Sequence, residues 1–171
     1  MERLVRSALL DLLWFRQPEH TMSTFQLPSD LIFNRGKIAD PPAFARANRA
    51  ASWLYLNGAE FAAMDGGMSF AQVEQSVDHA VNVISDPPRV LDLALARQHI
   101  AALDALPRPT LVTCRMGPRS SAVVYLYAAL RTDAAADEVI AAAERDGAPF
   151  CQAEEYKQWV RDCLDALRRE L

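Results

Sequence analysis

The segment from Thr110 to Leu130 places the strongest constraint on the fold of this chain. Four residues, TLVT, lead directly into the loop CRMGPRSS, and an apolar helical segment, AVVYLYAAL, follows without a break. An apolar strand that passes through a short glycine-containing loop into a helix is typical of a parallel sheet covered by helices. The first backbone N–H groups of such a helix point into the loop and, together with the helix dipole, attract anions.

The rest of the chain repeats this alternation of short apolar strands and amphipathic helices. Further strands are predicted at 31–33, 52–56 and 79–84, where the first is either a strand or the edge of a hairpin around Gly36. Further helices are predicted after the N-caps Asp40 and Ser69, and at 89–105, 133–145 (capped by Asp133) and 152–170. This order predicts an α/β fold with a compact, mainly parallel sheet flanked by helices.

The N-terminal end is predicted to lie outside the main domain. Residues 1–16, MERLVRSALLDLLWFR, have the pattern of a short helix. Met22 begins a second segment that is also a plausible start of the domain. Three interpretations stay open: a docking helix, a membrane-surface or targeting helix, and a product of upstream start choice. We therefore divide the chain into an N-terminal helix or extension, 1–22, and a single domain, 23–171, because 171 residues suffice for about one domain.

The composition excludes several classes of function. The net charge of −4 lacks the basic surplus expected of a nucleic-acid-binding protein, and no apolar run approaches the ~18 residues of a membrane span. Three cysteines are too few for a disulfide scaffold, so a reducing compartment such as the cytoplasm is expected. Neither a metal nor another cofactor is predicted, since the cysteines and histidines lack metal-ligand spacing; the histidines are His20, His79 and His99.

Cys114 is the candidate catalytic residue of the loop. Ordinary cysteine is only a few per cent ionised at neutral pH, whereas a helix N-terminus and nearby cations favour the thiolate. A buried structural cysteine would not account for two arginines and a glycine among the next five residues. The candidate anion-binding loop consists of Arg115, Met116, Gly117, Pro118 and Arg119. Of the other thiols, Cys163 is predicted to face the core, and Cys151 stays open as a resolving thiol.

The order strand, cysteine, loop, arginine, serine, helix resembles that of the cysteine phosphatases. The closer resemblance is to the bacterial phosphatase-like domain of beta-lactamase-hydrolase-like proteins, in the protein tyrosine and dual-specificity phosphatase superfamily. Their loop is similar to CRSGTRS, against CRMGPRS at 114–120 here, and the resemblance covers roughly residues 30–130. It implies a protein-tyrosine-phosphatase-like fold and a hydrolase in which Cys114 forms a cysteinyl-phosphate. In that reading Arg119 binds the phosphate oxygens, and the Ser120 hydroxyl supports the leaving thiolate.

A phosphatase also needs an acid that protonates the leaving alkoxide. Asp86, in the loop SDPP, lies 28 residues before Cys114, which resembles the spacing of the phosphatase general acid. The alternative is that Asp86 only caps the following helix. Asp92 and Asp65 are weaker candidates for the acid.

Two departures keep other functions open. Four residues separate Cys114 from Arg119, where protein tyrosine phosphatases have five, and Thr113 precedes the cysteine where classical phosphatases have histidine. Loops of this length resemble those of rhodaneses, so a sulfurtransferase that carries a persulfide on Cys114 is the second hypothesis. A non-catalytic anion-binding or partner-binding module is the third. The expected substrate is a small anion, either a phosphate ester or a thiosulfate or persulfide.

Overall fold

A computed structural model describes residues 25–171, in which four parallel strands form one sheet. The strands are β1 (Leu31–Phe33), β2 (Ser52–Tyr55), β3 (His79–Asn82) and β4 (Thr110–Thr113), arranged in the order β1-β4-β2-β3. The two central strands, β2 and β4, are buried at every residue, as expected where helices cover both faces of a parallel sheet. The carboxyl ends of all four strands meet at one edge, so the segments that follow them come together there.

Six helices and two short 3-10 helices connect and cover the strands. They are α1 (Pro41–Ala47), α2 (Phe70–Ser76), α3 (Leu93–Ala105), α4 (Pro118–Ala129), α5 (Ala136–Arg145) and α6 (Glu154–Glu170), with 3-10 turns at Ala59–Ala63 and Pro149–Gln152. Side chains alternate along β2, so Trp53 and Tyr55 pack on the α1/α2 side while Leu54 and Leu56 join the larger core of α3 to α6. Helix α4 is buried from Ser120 onward and forms the centre of that core.

The predicted α/β class with a parallel sheet is confirmed, and most differences concern element ends. Helix α1 ends at Ala47, and α3 begins at Leu93 instead of residue 89. Strand β1 pairs in parallel with β4, so the hairpin alternative is wrong. The capping box at Ser69 is present, and the apolar face of α6, including Cys163, is buried as predicted.

One predicted cap is wrong, and part of the prediction falls outside the structure. Helix α5 begins at Ala136 after an N-cap at Ala135, so Asp133 does not cap it. Instead the Thr132 hydroxyl accepts a hydrogen bond from the Ala134 N–H, and this local turn occupies the residues before the helix begins. The helix predicted at 1–16 and the boundary at Met22 lie outside the described residues. Within residues 25–171, every helix is too short or too polar to cross a bilayer.

Candidate functional site

Cys114 directly follows β4, and its sulfur is surrounded by hydrogen-bond donors at the start of α4. The Ser120 hydroxyl lies 3.5 Å from Sγ, but it donates its single proton to Asn34 Oδ1 and only accepts at the sulfur. The backbone N–H groups of Gly117 and Ser120 donate to Sγ, with nitrogen–sulfur distances of 3.2 and 3.4 Å. The sulfur is almost fully buried. Because these donors and the positive end of α4 point at the same atom, they favour negative charge on it. The structure thus brings Cys114 and Ser120 together.

The loop can make this turn only with glycine at position 117. Gly117 has a φ of +110°, and a Cβ there would come within 2.3 Å of the Asn34 carbonyl oxygen and 2.9 Å of Pro149 Cγ. Both the left-handed backbone and the close contact with another backbone segment therefore exclude a side chain. The resulting turn aims the Gly117 N–H at the sulfur of Cys114.

Asn34 holds the base of the loop, a role that the sequence analysis missed. Its Nδ2 donates to the Cys114 carbonyl at 2.7 Å, and its Oδ1 accepts the Cys114 N–H at 3.1 Å and the Ser120 hydroxyl at 2.8 Å. The β1–β4 register, in which Phe33 pairs with Val112, places Asn34 beside the cysteine. The only signal in the sequence was the position of this asparagine, immediately after an apolar strand.

Replacing Asn34 by aspartate is expected to destabilise the loop and to lower the reactivity of Cys114. An oxygen would then face the Cys114 carbonyl in place of the Nδ2 donor, and a negative charge would lie close to the sulfur. We expect a loss of about 1–3 kcal/mol in the free energy of unfolding. We also expect alkylation of Cys114 by iodoacetamide at neutral pH to slow by about tenfold.

Asn48→Asp is the matched control, because the Asn48 Nδ2 also donates to a backbone carbonyl, that of Phe44, at the end of α1. It is expected to affect stability without slowing the alkylation of Cys114. Wild-type alkylation in Asn34→Asp would show that Asn34 does not act on the cysteine.

Arg115 and Arg119 are the first and last residues of the candidate anion-binding loop, and each lies near an aromatic ring. The Arg115 guanidinium carbon lies 5.6 Å from the centre of the Phe61 ring, and that of Arg119 lies 5.9 Å from the Tyr156 ring. The Nε of each arginine is buried and has no hydrogen-bond partner among residues 25–171. Since a buried donor without an acceptor costs about 1–3 kcal/mol, these N–H groups are candidate donors to a bound anion.

Asp86 is brought to the loop by the end of β3. Its buried carboxylate accepts the Gly58 N–H at 2.9 Å and the Asn57 Nδ2 at 3.1 Å, and it lies 3.8 Å from an Arg115 nitrogen. The alternative interpretation of Asp86 as the cap of the following helix is wrong, because the Asp92 side chain accepts the Leu95 N–H and caps α3.

The other predicted site residues lie farther from the sulfur or on the surface. Asp65 is exposed and pairs with Lys37, while Asp92 pairs with Arg89 in addition to capping α3. Met116 is half-exposed on the outside of the loop, and Pro118 is the first residue of α4. Across residues 25–171, no three or more metal-ligating side chains are grouped, and His20 lies outside that range.

The two remaining thiols are surrounded differently from Cys114. Burial, followed by the charge of Glu144, raises the pKa of Cys151 to about 11. Burial and two nearby carboxylates raise the pKa of Cys163 to about 12. All three cysteines are free. Cys151 and Cys163 therefore stay protonated near neutral pH, which makes them poor nucleophiles.

A groove beside Arg119 extends the site. It has a volume of about 800 Å³ and lies between segment 87–93 and α6. Leu91, Tyr156 and Trp159 contribute apolar surface to it, and Glu155 and Asp162 contribute carboxylates. This size and mixture are typical of small-molecule pockets, so the groove can hold the organic part of a molecule whose anionic group binds in the loop.

His99 lies buried beneath the segment that carries Asp86. Its Nε2 is 2.8 Å from the Ser85 hydroxyl, and its ring packs edge-on against Trp159. Burial, aided by the positive charge of Arg89, lowers the pKa of His99 to about 3. The imidazole is therefore neutral at physiological pH and does not act there as an acid.

This buried histidine predicts a specific pH dependence of stability. Between about pH 6 and pH 4 the unfolded chain binds a proton at His99 that the folded chain does not, so acidification favours unfolding. His99 alone should lower the free energy of unfolding by up to about 1.4 kcal/mol per pH unit in this range. His99→Gln should remove that part of the slope in denaturant titrations at several pH values. His79→Gln, at an exposed histidine, should leave the slope unchanged, and equal slopes in wild type and His99→Gln would contradict the assignment.

Comparison with known proteins gives likenesses in structure alone. No protein-family profile matches the sequence, and no curated protein matches it. Among solved structures, nma1982 of Neisseria meningitidis, described as a candidate phosphatase, has a TM-score of 0.60 at 15% identity, over 80% of this chain and 96% of that chain. Tk-PTP has a TM-score of 0.61 at 13% identity, over 81% of this chain and 91% of that chain.

A third likeness is to PTPMT1, with a TM-score of 0.55 at 12% identity, over 84% of this chain and 97% of that chain. In all three, more than nine-tenths of the solved chain is covered, so the likeness extends over a whole domain. The described part of this chain is therefore a domain with the fold of the protein tyrosine and dual-specificity phosphatases.

Proposed function

We propose that this chain is a phosphatase-like hydrolase that cleaves phosphate monoesters through a cysteinyl-phosphate on Cys114. One observation carries the proposal: the Cys114 sulfur accepts two backbone N–H groups at a helix N-terminus, in a loop with two arginines whose buried Nε groups have no partner among residues 25–171. This arrangement supplies a nucleophile and a set of oxyanion donors at the same place. The fold, shared with phosphatases, adds support by analogy.

In the first half of the reaction, the Cys114 thiolate attacks phosphorus. The S–P bond forms as the P–O ester bond breaks, and the leaving oxygen takes the electron pair together with a proton from Asp86. The loop N–H groups, Arg115 and Arg119 bind the non-bridging oxygens, where negative charge is held in the transition state. The 3.8 Å approach of Arg115 to Asp86 connects the anion-binding group and the proposed acid.

In the second half, water attacks the phosphorus of the cysteinyl-phosphate. The Asp86 carboxylate takes a proton from this water, the S–P bond breaks, and inorganic phosphate and the Cys114 thiolate are released. The N–H groups of Gly117 and Ser120 stabilise the departing thiolate. Asp86 ends the cycle protonated, as it began it.

The proposed substrate is an ester with a phosphate group bound in the loop and an apolar organic part beside it. Two exposed apolar side chains lie at this site: Met116 in the loop, at 50% exposure, and Val90 in the groove that Arg119 also lines, at 67%. The groove beside Arg119 offers further apolar surface. PTPMT1, which shares the fold, has been solved in complex with PI(5)P. We also propose a reducing compartment such as the cytoplasm, because a thiolate nucleophile is readily oxidised.

The four-residue spacing between Cys114 and Arg119 is the remaining argument for sulfur transfer. None of the structural likenesses supports a sulfurtransferase. Thr113 stands where classical phosphatases have histidine. Its hydroxyl accepts a hydrogen bond from the indole of buried Trp53 at 2.7 Å, so this contact within the sheet accounts for a threonine there.

The proposed function is tested by assaying the full chain for two reactions in parallel. We expect steady hydrolysis of 4-nitrophenyl phosphate, with inhibition by inorganic phosphate, and no transfer of sulfur from thiosulfate to cyanide. Sulfur transfer without phosphate release would favour the rhodanese-like alternative. Binding of inorganic phosphate with neither reaction would favour a non-catalytic anion-binding module.

A further inference from the structure

The segment from Ser85 to Asp92, which carries Asp86, is held at both ends by hydrogen bonds from two rings. At its start, His99 Nε2 lies 2.8 Å from the Ser85 hydroxyl. At its end, the Trp159 indole N–H donates to the Asp92 carbonyl at 3.0 Å. His99 belongs to α3 and Trp159 to α6, so elements far apart in the chain meet below this segment.

The two rings also contact each other. Their centres lie 6.0 Å apart with the planes at 87°, and both side chains are buried. Edge-to-face packing of this kind is favourable and fixes the relative orientation of the rings. Because each ring holds one end of the segment, their packing also sets the distance between the two anchor points. We call His99 and Trp159 the ring pair.

The other hydrogen bond of the Ser85 hydroxyl shows that His99 is the donor in the contact between His99 and Ser85. The Ser85 hydroxyl lies 2.9 Å from the Val83 carbonyl oxygen, which can only accept, so the single hydroxyl proton points there. His99 therefore carries its proton on Nε2 and donates it to Ser85 Oγ. The Ser85 N–H also donates to the Leu56 carbonyl of the β2 end at 2.9 Å. The residue preceding Asp86 is thus held by three hydrogen bonds.

We propose that His99 and Trp159 are positioning residues that hold Asp86 in place to protonate the leaving group. This inference rests on the proposed function and goes beyond it, because neither ring belongs to the anion-binding loop. A general acid must lie within hydrogen-bond reach of the oxygen that it protonates, and a displacement of about 1 Å can cost about 10²-fold in rate. The ring pair donates one hydrogen bond to each end of the segment bearing this acid.

The test uses the dependence of rate on the leaving group. Phenyl phosphate has a poor leaving group that needs protonation, whereas 4-nitrophenyl phosphate has a good one that needs it less. In Asp86→Asn we expect kcat for phenyl phosphate to fall about 10²-fold or more, and kcat for 4-nitrophenyl phosphate to fall much less. The ratio of the two kcat values therefore reports how well the acid is placed.

Two variants disturb the ring pair without touching the loop. His99→Leu removes the donor to Ser85, and Trp159→Phe keeps a ring but removes the donor to Asp92. In each we expect the ratio of kcat for 4-nitrophenyl phosphate to kcat for phenyl phosphate to rise about tenfold, with inhibition by inorganic phosphate unchanged. His99→Gln, which keeps an N–H donor at similar reach, should restore most of the ratio. In the Asp86→Asn background, neither variant should raise the ratio further.

Tyr127→Phe is the matched control, because it removes one hydrogen bond, to Asp104, from a buried ring on α4. It should leave the ratio unchanged even if it lowers stability. Should His99→Leu fail to fold, Trp159→Phe carries the test, and a wild-type ratio in that variant then overturns the inference.

The outcomes separate the inference from the function on which it rests. Hydrolysis that survives Cys114→Ser overturns the proposed function. If Cys114→Ser is inactive and Asp86→Asn raises the ratio, a wild-type ratio in both ring-pair variants overturns the inference alone. A wild-type ratio in Asp86→Asn also overturns it, since there would be no acid to position.

Discussion

Replacing Cys114 by serine should abolish hydrolysis of 4-nitrophenyl phosphate, lowering kcat by about 10⁵-fold or more. The serine hydroxyl stays protonated at neutral pH, and the backbone N–H groups of Gly117 and Ser120 around position 114 cannot act as a base. The geometry that binds the anion is retained, because the N–H groups of Gly117 and Ser120 and both arginines remain. Inorganic phosphate should therefore still bind Cys114→Ser, as measured by titration calorimetry.

Cys151→Ser provides the control for this loss. Cys151 is a partly buried thiol whose pKa is raised to about 11, and it should be replaceable without a change in kcat. If Cys114→Ser kept more than about one-hundredth of the wild-type kcat, the nucleophile would be another group and the proposed mechanism would be wrong.

Replacing Arg119 by lysine should lower kcat/KM for 4-nitrophenyl phosphate by about 10²- to 10³-fold. Lysine keeps the positive charge but loses the planar, forked set of N–H donors that matches two oxygens of a phosphoryl group. The Arg119 Nε is buried with no partner in the part of the chain that the structure covers, and its guanidinium lies over Tyr156. An ammonium would reproduce neither the directed donor nor the flat contact.

Arg161→Lys is the control, because Arg161 forms ion pairs with Asp137 and Glu154 on the surface of α6. Such exposed pairs contribute little, so neither kcat/KM nor stability should change much. A loss below about threefold in Arg119→Lys would mean that charge alone suffices, and the proposed bidentate contact would be wrong.

The parts of the site that lie close together in the chain were predictable from the sequence. Strand β4, the loop with Cys114 and Gly117, and helix α4 are consecutive, so apolar pattern, glycine and proline define them locally. The parallel sheet followed from the same alternation. Element ends were less well predicted: Asp92 caps α3, although the two prolines at 87 and 88 suggested an earlier start.

The contacts that join distant segments were not predictable from one sequence. Asn34 reaches Cys114 across 80 positions because β1 pairs with β4, and no local pattern identifies that partner. The approach of Arg115 to Asp86 and that of His99 to Ser85 likewise depend on the strand order. His99 was noted only for lacking metal-ligand spacing, whereas burial against Trp159 gives it its place in the structure.

In the proposed mechanism, Cys114 carries a phosphoryl group during turnover. Asp86→Asn should slow the second half of the reaction, so mixing it with excess 4-nitrophenyl phosphate lets the intermediate accumulate. After a denaturing quench at neutral or alkaline pH, peptide mass spectrometry should find one added phosphoryl group on Cys114, and none on Cys151 or Cys163. Release of 4-nitrophenol with Cys114 unmodified at every quench time, or with phosphate on another residue, would contradict the account.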